Sequence, residues 1–223
     1  MKLNLLKIYL IFIFSASLTV LLAQSETGFQ IARLKYSGGG DWYNDPSAEV
    51  NLLKYVHAHT NIKVKAEYKF VDIATDEIFS YPFLFITGHG NIVFSTDEVN
   101  RLKKYLENGG FLYIDDDYGI DKAIRREMKK VFPQNDFIEI PFSHKIFNIF
   151  YKFENGTPKT HEHDDKAPQS FGIFLGNRLA VLYTYESNPS DGWADPEVHN
   201  DPAEKREEAL KFGTNILIYA LSK

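Results

Sequence analysis

Residues 110–119 read GFLYIDDDYG, an apolar strand-like run that stops abruptly at three aspartates. The same pattern occurs twice earlier: PFLFITGHGN at 82–91 runs into a Gly-His-Gly cluster, and RLKYSGGGDWYNDP at 33–46 runs into a glycine-rich loop. Strands that are apolar throughout are typical of parallel sheets buried on both faces. Ligands bind outside the carboxyl ends of the strands in such sheets. The three runs therefore predict one rim that carries the candidate site.

Helix signals lie between these strands. Ser95 and Glu98 predict a capping box, and Asp45 followed by Pro46 predicts the start of an earlier helix. A third helix is predicted over 121–131. Strands that alternate with helices predict a mostly parallel sheet with helices on both faces, a three-layer α/β/α fold.

The remaining segments are less regular. Alternation of apolar and charged residues over 62–70 predicts a half-exposed strand near a sheet edge. Gly176 and Asn177 separate two apolar runs and predict an added hairpin. Asp201 and Pro202 predict the start of a final helix that continues to the C-terminus. The stretch between the hairpin and this helix, residues 186–202, reads as a loop.

The glycine-rich loop offers Gly39, Gly40, Asp41 and Trp42 as candidate ligand-contacting residues. Exposed backbone N–H groups at a strand-to-helix loop can bind an anion. The loop is neither a G-x-G-x-x-G motif nor a P-loop, because the P-loop lysine is missing. The alternative is structural: the glycines allow a tight turn and Trp42 anchors the loop by packing.

The Gly-His-Gly cluster makes His89 a candidate catalytic residue. Gly88 and Gly90 permit unusual backbone angles beside it and are candidate ligand contacts. A histidine at the end of a strand can act as a general base, a metal ligand or a hydrogen-bond donor. The alternative is that His89 holds neighbouring loops together through hydrogen bonds.

Asp115, Asp116 and Asp117 are candidate ligands of a divalent metal ion, with Asp116 also a candidate catalytic residue and Asp117 a ligand contact. Clustered carboxylates repel one another unless a cation or a proton relieves them, and oxygen ligands suit Mg²⁺ or Ca²⁺. Consecutive residues of a strand point to alternate sides, so at most two of the three share a direction. The alternative is that Asp115 caps backbone donors while the others are solvated or pair with arginine.

Further candidates come from the second half of the chain. His144 precedes an apolar segment and is placed under the rim. Asp191 lies beside Trp193, which is predicted to be an exposed aromatic ring suited to stacking on a sugar. His161 and His163 resemble a local metal clip, although their spacing lacks the specificity of a zinc signature.

Composition restricts the function classes. A formal net charge of −5 disfavours nucleic-acid binding, which needs a basic patch. The chain has no cysteine, which excludes disulfides, a thiolate nucleophile and a lipid-anchored lipoprotein. A G-x-S-x-G elbow is also missing, so a serine hydrolase of that type has no support.

The N-terminus has the form of a secretory signal peptide. Lys2 and Lys7 precede an apolar stretch, and Ala23 is a plausible cleavage residue. Residues 1–23 are therefore expected to be removed, leaving one domain over 24–223 in the periplasm or outside the cell. The alternative is an uncleaved segment that anchors the protein to the membrane. We expect no transmembrane segment after cleavage.

With these residues assembled, the chain resembles a bacterial family, domain of unknown function 4159. The matching pieces span about residues 29–221 and are RLKYSGGGDWYNDP, YPFLFITGHG, NGGFLYIDDDYG, VFP, H-K-I-F, RLAVLYT, DGW and ALKFGTNILIYAL. The family is similar in fold to class I glutamine amidotransferases, which implies a flavodoxin-like three-layer α/β/α architecture. The segment PFLFITGHG resembles the amidotransferase strand whose following glycines help to form the oxyanion hole.

The resemblance does not imply glutaminase activity. In the amidotransferase superfamily a catalytic cysteine follows a central strand, whereas the corresponding turn here, residues 114–117, carries aspartate. Trehalose-utilisation-like proteins share a similar glycine and histidine spacing, which leaves a link to carbohydrates open.

Two functions are therefore expected from the sequence. The first is a non-catalytic module of the cell envelope that binds a saccharide or a partner protein at the rim. The second is a hydrolase, with or without a metal ion, that uses His89 and the aspartates at 115–117. Whether a divalent metal is a cofactor stays open.

Overall fold

The computed structural model describes residues 28–161 and 163–222. Within these residues, seven strands form one sheet: β1 (Ala32–Lys35), β2 (Phe70–Asp72), β3 (Phe83–Ile86), β4 (Phe111–Asp115), β5 (Ile138–Glu139), β6 (Gln169–Leu175) and β7 (Arg178–Tyr185). The helices of the described residues are α1 (Ala48–His59), α2 (Thr96–Glu107), α3 (Asp121–Val131), α4 (Pro189–Trp193), α5 (Pro196–His199) and α6 (Ala203–Leu221). Short 3-10 helices occur at Asp76–Ser80 and Lys145–Phe147.

The strand order is β2-β1-β3-β4-β7-β6-β5. The first five strands of this order run parallel, and β6 and β5 are antiparallel additions at one edge. The parallel part has the order of a flavodoxin-like fold, with β7 as its fifth strand. The predicted α/β class is confirmed, and so is the hairpin between β6 and β7.

Two apolar cores cover the two faces of the sheet. Helices α2 and α3 pack on one face, while α1 and α6 pack on the other. Along β4, Leu112 and Ile114 enter the first core, whereas Phe111 and Tyr113 enter the second. The alternation of a strand therefore sends Asp115 towards the α1–α6 face. The next residue, Asp116, points to the opposite face, so Asp115 and Asp116 lie on different sides of the sheet.

Helix boundaries confirm the capping box and correct one start. Ser95 accepts a hydrogen bond from the Glu98 N–H, and the Glu98 side chain accepts one from the Ser95 N–H. Helix α1 begins at Ala48, later than predicted. The assignment of Asp45 as its N-cap is wrong, because Asp45 adopts a left-handed backbone conformation with φ 42°. Its carboxylate instead contacts His199.

The predicted strand over 62–70 is also wrong for most of its length. Only Phe70 belongs to β2, and Val64 makes an isolated bridge with Phe29. Ile62, Val64 and Ala66 pack partly buried against the α1–α6 core. The alternation therefore reflects one-sided burial of an extended segment, without continuous strand pairing.

The predicted signal peptide, residues 1–23, lies outside the described residues. Over residues 28–161 and 163–222, no helix combines the length and the apolar character that crossing a membrane requires.

Candidate functional site

Loops from the carboxyl ends of β1, β3, β4 and β7 meet at one edge of the sheet. The His89 ring nitrogen Nδ1 lies 3.0 Å from Asp41 Oδ2 and 3.3 Å from Asp117 Oδ2. Asn188, which follows β7, donates from Nδ2 to Asp117 Oδ1 at 3.2 Å. The structure thus brings together Asp41, His89 and Asp117, the residues expected at the rim.

A buried ion pair between β1 and α1 supports the 41–45 loop. Arg33 on β1 and Glu49 on α1 have side chains that are 0% and 1% exposed. Arg33 Nε lies 2.6 Å from Glu49 Oε1, and Nη2 lies 2.7 Å from Oε2. The remaining guanidinium hydrogens are donated to the carbonyls of Trp42, Asn44 and Asp45. One charged group therefore positions three backbone carbonyls of the loop.

Glycine allows the first two loops to approach each other closely. A Cβ atom on Gly40 would lie 2.6 Å from the His89 carbonyl oxygen. A Cβ on Gly88, whose φ is +130°, would lie 2.6 Å from Tyr36 Oη and 2.9 Å from Asp41 Oδ1. Because both positions are glycine, the loops come close enough for Asp41 Oδ1 to accept a hydrogen bond from the His89 backbone N–H. Gly40 and Gly88 therefore allow the two loops to pack closely against each other.

Asp115 is enclosed by protein donors. Its Oδ1 accepts from Thr184 Oγ1 at 2.5 Å, and its Oδ2 accepts from the backbone N–H and the hydroxyl of Ser190 at 2.8 and 2.7 Å. Burial raises the pKa of Asp115 to about 7, although these three donors oppose the rise. Asp115 thus ties β4 to β7 and to α4.

Asp116 points to the opposite face of the sheet. It accepts from the Ile120 N–H at 3.0 Å and from Tyr183 Oη at 3.2 Å. Burial raises its pKa to about 6. Strand alternation separates Asp115 from Asp116, in line with the expectation that at most two of the three aspartates share a direction. Asp116 is 4% exposed and, like Asp117, is one of the residues that line the cleft described below.

Asp117 lies at the centre of the rim. It is 2% exposed and contacts side chains from three loops, namely Asn44, His89 and Asn188. Burial raises the pKa of Asp117, and the charge of His89 acts in the opposite direction. Asp117 therefore links the loops that follow β1, β3 and β7.

A second group of side chains lies beside Asp117. His199 Nε2 is 3.0 Å from Asp45 Oδ2, and His199 Nδ1 is 3.9 Å from Asp191 Oδ2. One donor atom from each of these three side chains lies within 4.8 Å of the others. Within the described residues, this is the group whose donor atoms are close enough to hold one metal ion.

The electrostatics of this group are unfavourable for ionised carboxylates. Burial, and then the charges of Asp117, Asp115 and Asp45, raise the pKa of Asp191 to about 10. The hydrogen bond with Asp45 raises the pKa of His199. The rim thus concentrates negative charge that protons or cations must offset.

A cleft of about 380 Å³ opens next to Asp117. Its walls combine tyrosine rings, lysines, carboxylates and amide groups, and they include Tyr118, Lys122, Lys166, Tyr185, Glu186 and Asn188. The ring of His163 lies 4.6 Å from that of Tyr118, and His163 Nε2 is 2.9 Å from Asn188 Nδ2. The volume suits a small ligand, and the walls offer both donors and acceptors.

Other expected residues lie elsewhere or are buried. The prediction of an exposed ring at Trp193 is wrong: it is 1% exposed and donates from Nε1 to the Ala209 carbonyl. Trp42 packs against Phe70, with ring centroids 5.3 Å apart. His144 contacts the ring of Tyr219, far from the rim, because Tyr219 packs on Phe111 at the amino end of β4.

Two of the expected glycines face open space. No atom of the residues that the structure describes lies within 4 Å of a Cβ built on Gly39, and the nearest such atom to a Cβ on Gly90 would be at 3.7 Å. Both have positive φ, of +95° and +85°. These positions satisfy a turn and leave the backbone beside the rim accessible.

Several residues of the rim were not predicted from the sequence: Arg33, Asn44, Glu49, Asn188 and His199. For Asn188 and His199, the signal is their position after β7. Once β7 is placed parallel to β4, the residues that follow it must reach the same edge of the sheet. Arg33 and Glu49 gave no such signal, because their pairing depends on how α1 packs on β1.

The fold and the rim define a flavodoxin-like α/β domain with an acidic, histidine-containing site at the carboxyl ends of its strands. A family model described as Domain of unknown function (DUF4159) matches residues 30–221. The chain therefore belongs to this family. No curated protein matches the sequence.

Proposed function

We propose that the chain is an exported, non-catalytic ligand-binding module of the cell envelope, and that its ligand is a small saccharide. The observation that supports the proposal most strongly is the cleft beside Asp117, which has a ligand-sized volume at the carboxyl edge of the sheet. The signal-like N-terminal sequence supports export.

The walls of the cleft suit a hydroxyl-rich ligand. Tyr118 is 49% exposed although His163 packs against its ring, so part of the ring is available for apolar contact with a sugar. Asp117 and Glu186 can accept hydrogen bonds from hydroxyl groups, and Lys122 and Lys166 can donate to hydroxyl oxygens. Charges of both signs favour a neutral polar ligand over a strongly charged one.

The proposal is tested by titrating the full-length protein with neutral mono- and oligosaccharides in a calorimeter. Tyr118→Ala should weaken the binding of a saccharide about 3- to 10-fold, which is the loss of one aromatic contact. Phe150→Ala is the matched control, because Phe150 is 47% exposed and lies outside the cleft. Absence of binding at millimolar saccharide, or equal affinities for Tyr118→Ala and the parent, would contradict the proposal.

Hydrolysis, with or without a metal ion, is the second candidate function. The observation in its favour is the contact of His89 Nδ1 with both Asp41 and Asp117. A carboxylate behind an imidazole can hold its tautomer, and the half-exposed ring can then exchange a proton with a substrate or a water.

This candidate is tested with a panel of ester, amide, glycoside and phosphate substrates. His89→Gln should reduce any hydrolysis about 100-fold or more, as expected for a general base. His57→Gln is the control, because His57 is an exposed histidine on α1. Hydrolysis that persists in His89→Gln would remove His89 from the reaction.

A further inference from the structure

We propose that Asp45, Asp191 and His199 form a binding site for a divalent transition-metal ion of the Zn²⁺ or Mn²⁺ class. The three donors come from the loop after β1, from α4 and from α5. They lie far apart in the sequence, and the fold brings one donor atom of each within 4.8 Å of the others. The inference is independent of the saccharide proposal, since the ion site is defined by different side chains.

The spacing of the donors suits a coordinated ion. Bonds of about 2.0–2.2 Å from an ion to nitrogen and oxygen place neighbouring donor atoms roughly 3–3.5 Å apart. His199 Nε2 is 3.0 Å from Asp45 Oδ2, within that range. Asp191, the second carboxylate, lies 3.9 Å from the other nitrogen of this ring, Nδ1. An ion bound to one ring nitrogen would therefore require one of the two carboxylates to move towards it.

Two buried polar atoms beside this group have no hydrogen-bond partner among the described residues. Asp191 Oδ1 is buried and makes no hydrogen bond to any described residue, and its side chain is 2% exposed. The other oxygen, Oδ2, has Asn188 Nδ2 as a donor at 3.3 Å. Asn188 Oδ1 is likewise buried and without a partner among the described residues. Buried polar atoms of native proteins are rarely left unsatisfied, so two at one place indicate a bound group.

The charge of the surroundings favours a cation. Asp191 lies near the carboxyl groups of Asp45, Asp115 and Asp117. The buried guanidinium of Arg33, which donates to the Asp45 carbonyl, is already engaged with Glu49. A dication would offset several carboxylates at once, which one imidazolium does only in part.

The ligand-bearing segments are held in place by other contacts. Arg33 donates to the Asp45 carbonyl oxygen at 3.3 Å. Asn51 on α1 donates to the Trp193 carbonyl at 3.0 Å and to Asp195 Oδ1 at 2.8 Å. These bonds connect α1 to the corner between α4 and α5. Supporting hydrogen bonds of this kind orient the ligands of metal sites.

The donor types select the class of ion. One imidazole and two carboxylates suit Zn²⁺ and Mn²⁺. Mg²⁺ and Ca²⁺ prefer sites made of oxygen alone. The site therefore differs in position and in ion preference from one built on the aspartates at 115–117.

The test is a calorimetric titration of tag-free, chelator-treated full-length protein with ZnCl₂, MnCl₂, MgCl₂ and CaCl₂. We expect one Zn²⁺ or Mn²⁺ per chain and weaker or no binding of Mg²⁺ and Ca²⁺. Asp191→Asn and His199→Gln should each weaken the affinity at least about tenfold. His57→Gln and Asp136→Asn are controls that each change an exposed side chain away from the site.

A melting curve without metal separates loss of the site from loss of the fold. Asparagine is nearly isosteric with aspartate and adds no charge to the cluster, so the metal-free melting temperature of Asp191→Asn should equal or exceed that of the parent. The ion-dependent rise in melting temperature should disappear in the same variant. No binding by about 100 µM ion, or binding that is unchanged in both Asp191→Asn and His199→Gln, would overturn the proposal. The second outcome would identify adventitious surface binding.

Discussion

Glu49→Gln should destabilise the protein by about 3–5 kcal/mol, because it leaves the Arg33 guanidinium buried without a counter-charge. The two side chains are 0% and 1% exposed, and their nitrogen and oxygen atoms are 2.6 and 2.7 Å apart. Removing one partner of such a pair is costly, whereas removing both is much less so. The double variant Arg33→Met/Glu49→Gln should therefore be more stable than the sum of the single changes predicts, by up to about 3 kcal/mol.

The pH dependence distinguishes the two single variants. Burial raises the pKa of Glu49 even with Arg33 present. In Arg33→Met the carboxyl loses the guanidinium and can protonate, so the variant is least destabilised in acid. The stability of Arg33→Met falls as the pH rises through the raised pKa of Glu49, because burial penalises the ionised carboxylate. Glu49→Gln has no such group, and its loss of stability should change little with pH.

The assay is urea unfolding of the full-length protein followed by tryptophan fluorescence at several pH values. Asp136→Asn is a control, since it disrupts a pair with Lys129 whose side chains are 48% and 80% exposed. Such a pair should contribute little. A cost below about 1 kcal/mol for Glu49→Gln, or additive single and double variants, would refute the inference that this desolvated pair supports the 41–45 loop.

Three further predictions concern the capping box, the aspartate cluster and the loop contact. Ser95→Ala should lower the free energy of unfolding by about 1 kcal/mol, since it removes the acceptor for the Glu98 N–H; an unchanged urea midpoint would contradict the cap. Asp115→Asn should cost about 1–3 kcal/mol, because an amide nitrogen would face hydrogen-bond donors. Burial raises the pKa of Asp115 to about 7, so the parent should lose stability as the pH rises from about 4 to 7. Unfolding curves of Asp115→Asn at several pH values should show a smaller loss of stability over this range. Identical pH profiles for the variant and the parent would contradict the raised pKa of Asp115. Gly88→Ala should destabilise more than Gly109→Ala, because both have positive φ but only a Cβ at 88 meets neighbouring atoms; equal melting temperatures would show that the close contact with Tyr36 and Asp41 is unimportant.

The fold was predictable because its signals are local. Buried parallel strands read as continuous apolar runs in β3 and β4, and the capping box marks the start of α2. The segment 62–70 shows where such signals mislead. A period of two reports burial of one side of an extended chain, whether or not another strand pairs with it.

The site was predictable only in part. Strand ends placed Asp41, His89 and Asp117 at one rim, because parallel strands share a carboxyl edge. The contact between Asp45 and His199 joins residues 154 positions apart, and no local pattern encodes it. Trp193 reads as an exposed loop residue, yet α6 covers it and supplies the carbonyl that accepts its N–H. Long-range packing decides both cases.

A crystal structure of the full-length protein grown with ZnCl₂ or MnCl₂, measured at the absorption edge of the metal, would test the ion site at the rim most directly. We expect one strong anomalous peak bonded to Asp45, Asp191 and His199, at about 2.0–2.2 Å from the donor atoms. A peak found only at exposed histidines such as His57, or no peak at this carboxyl edge of the sheet, would contradict it.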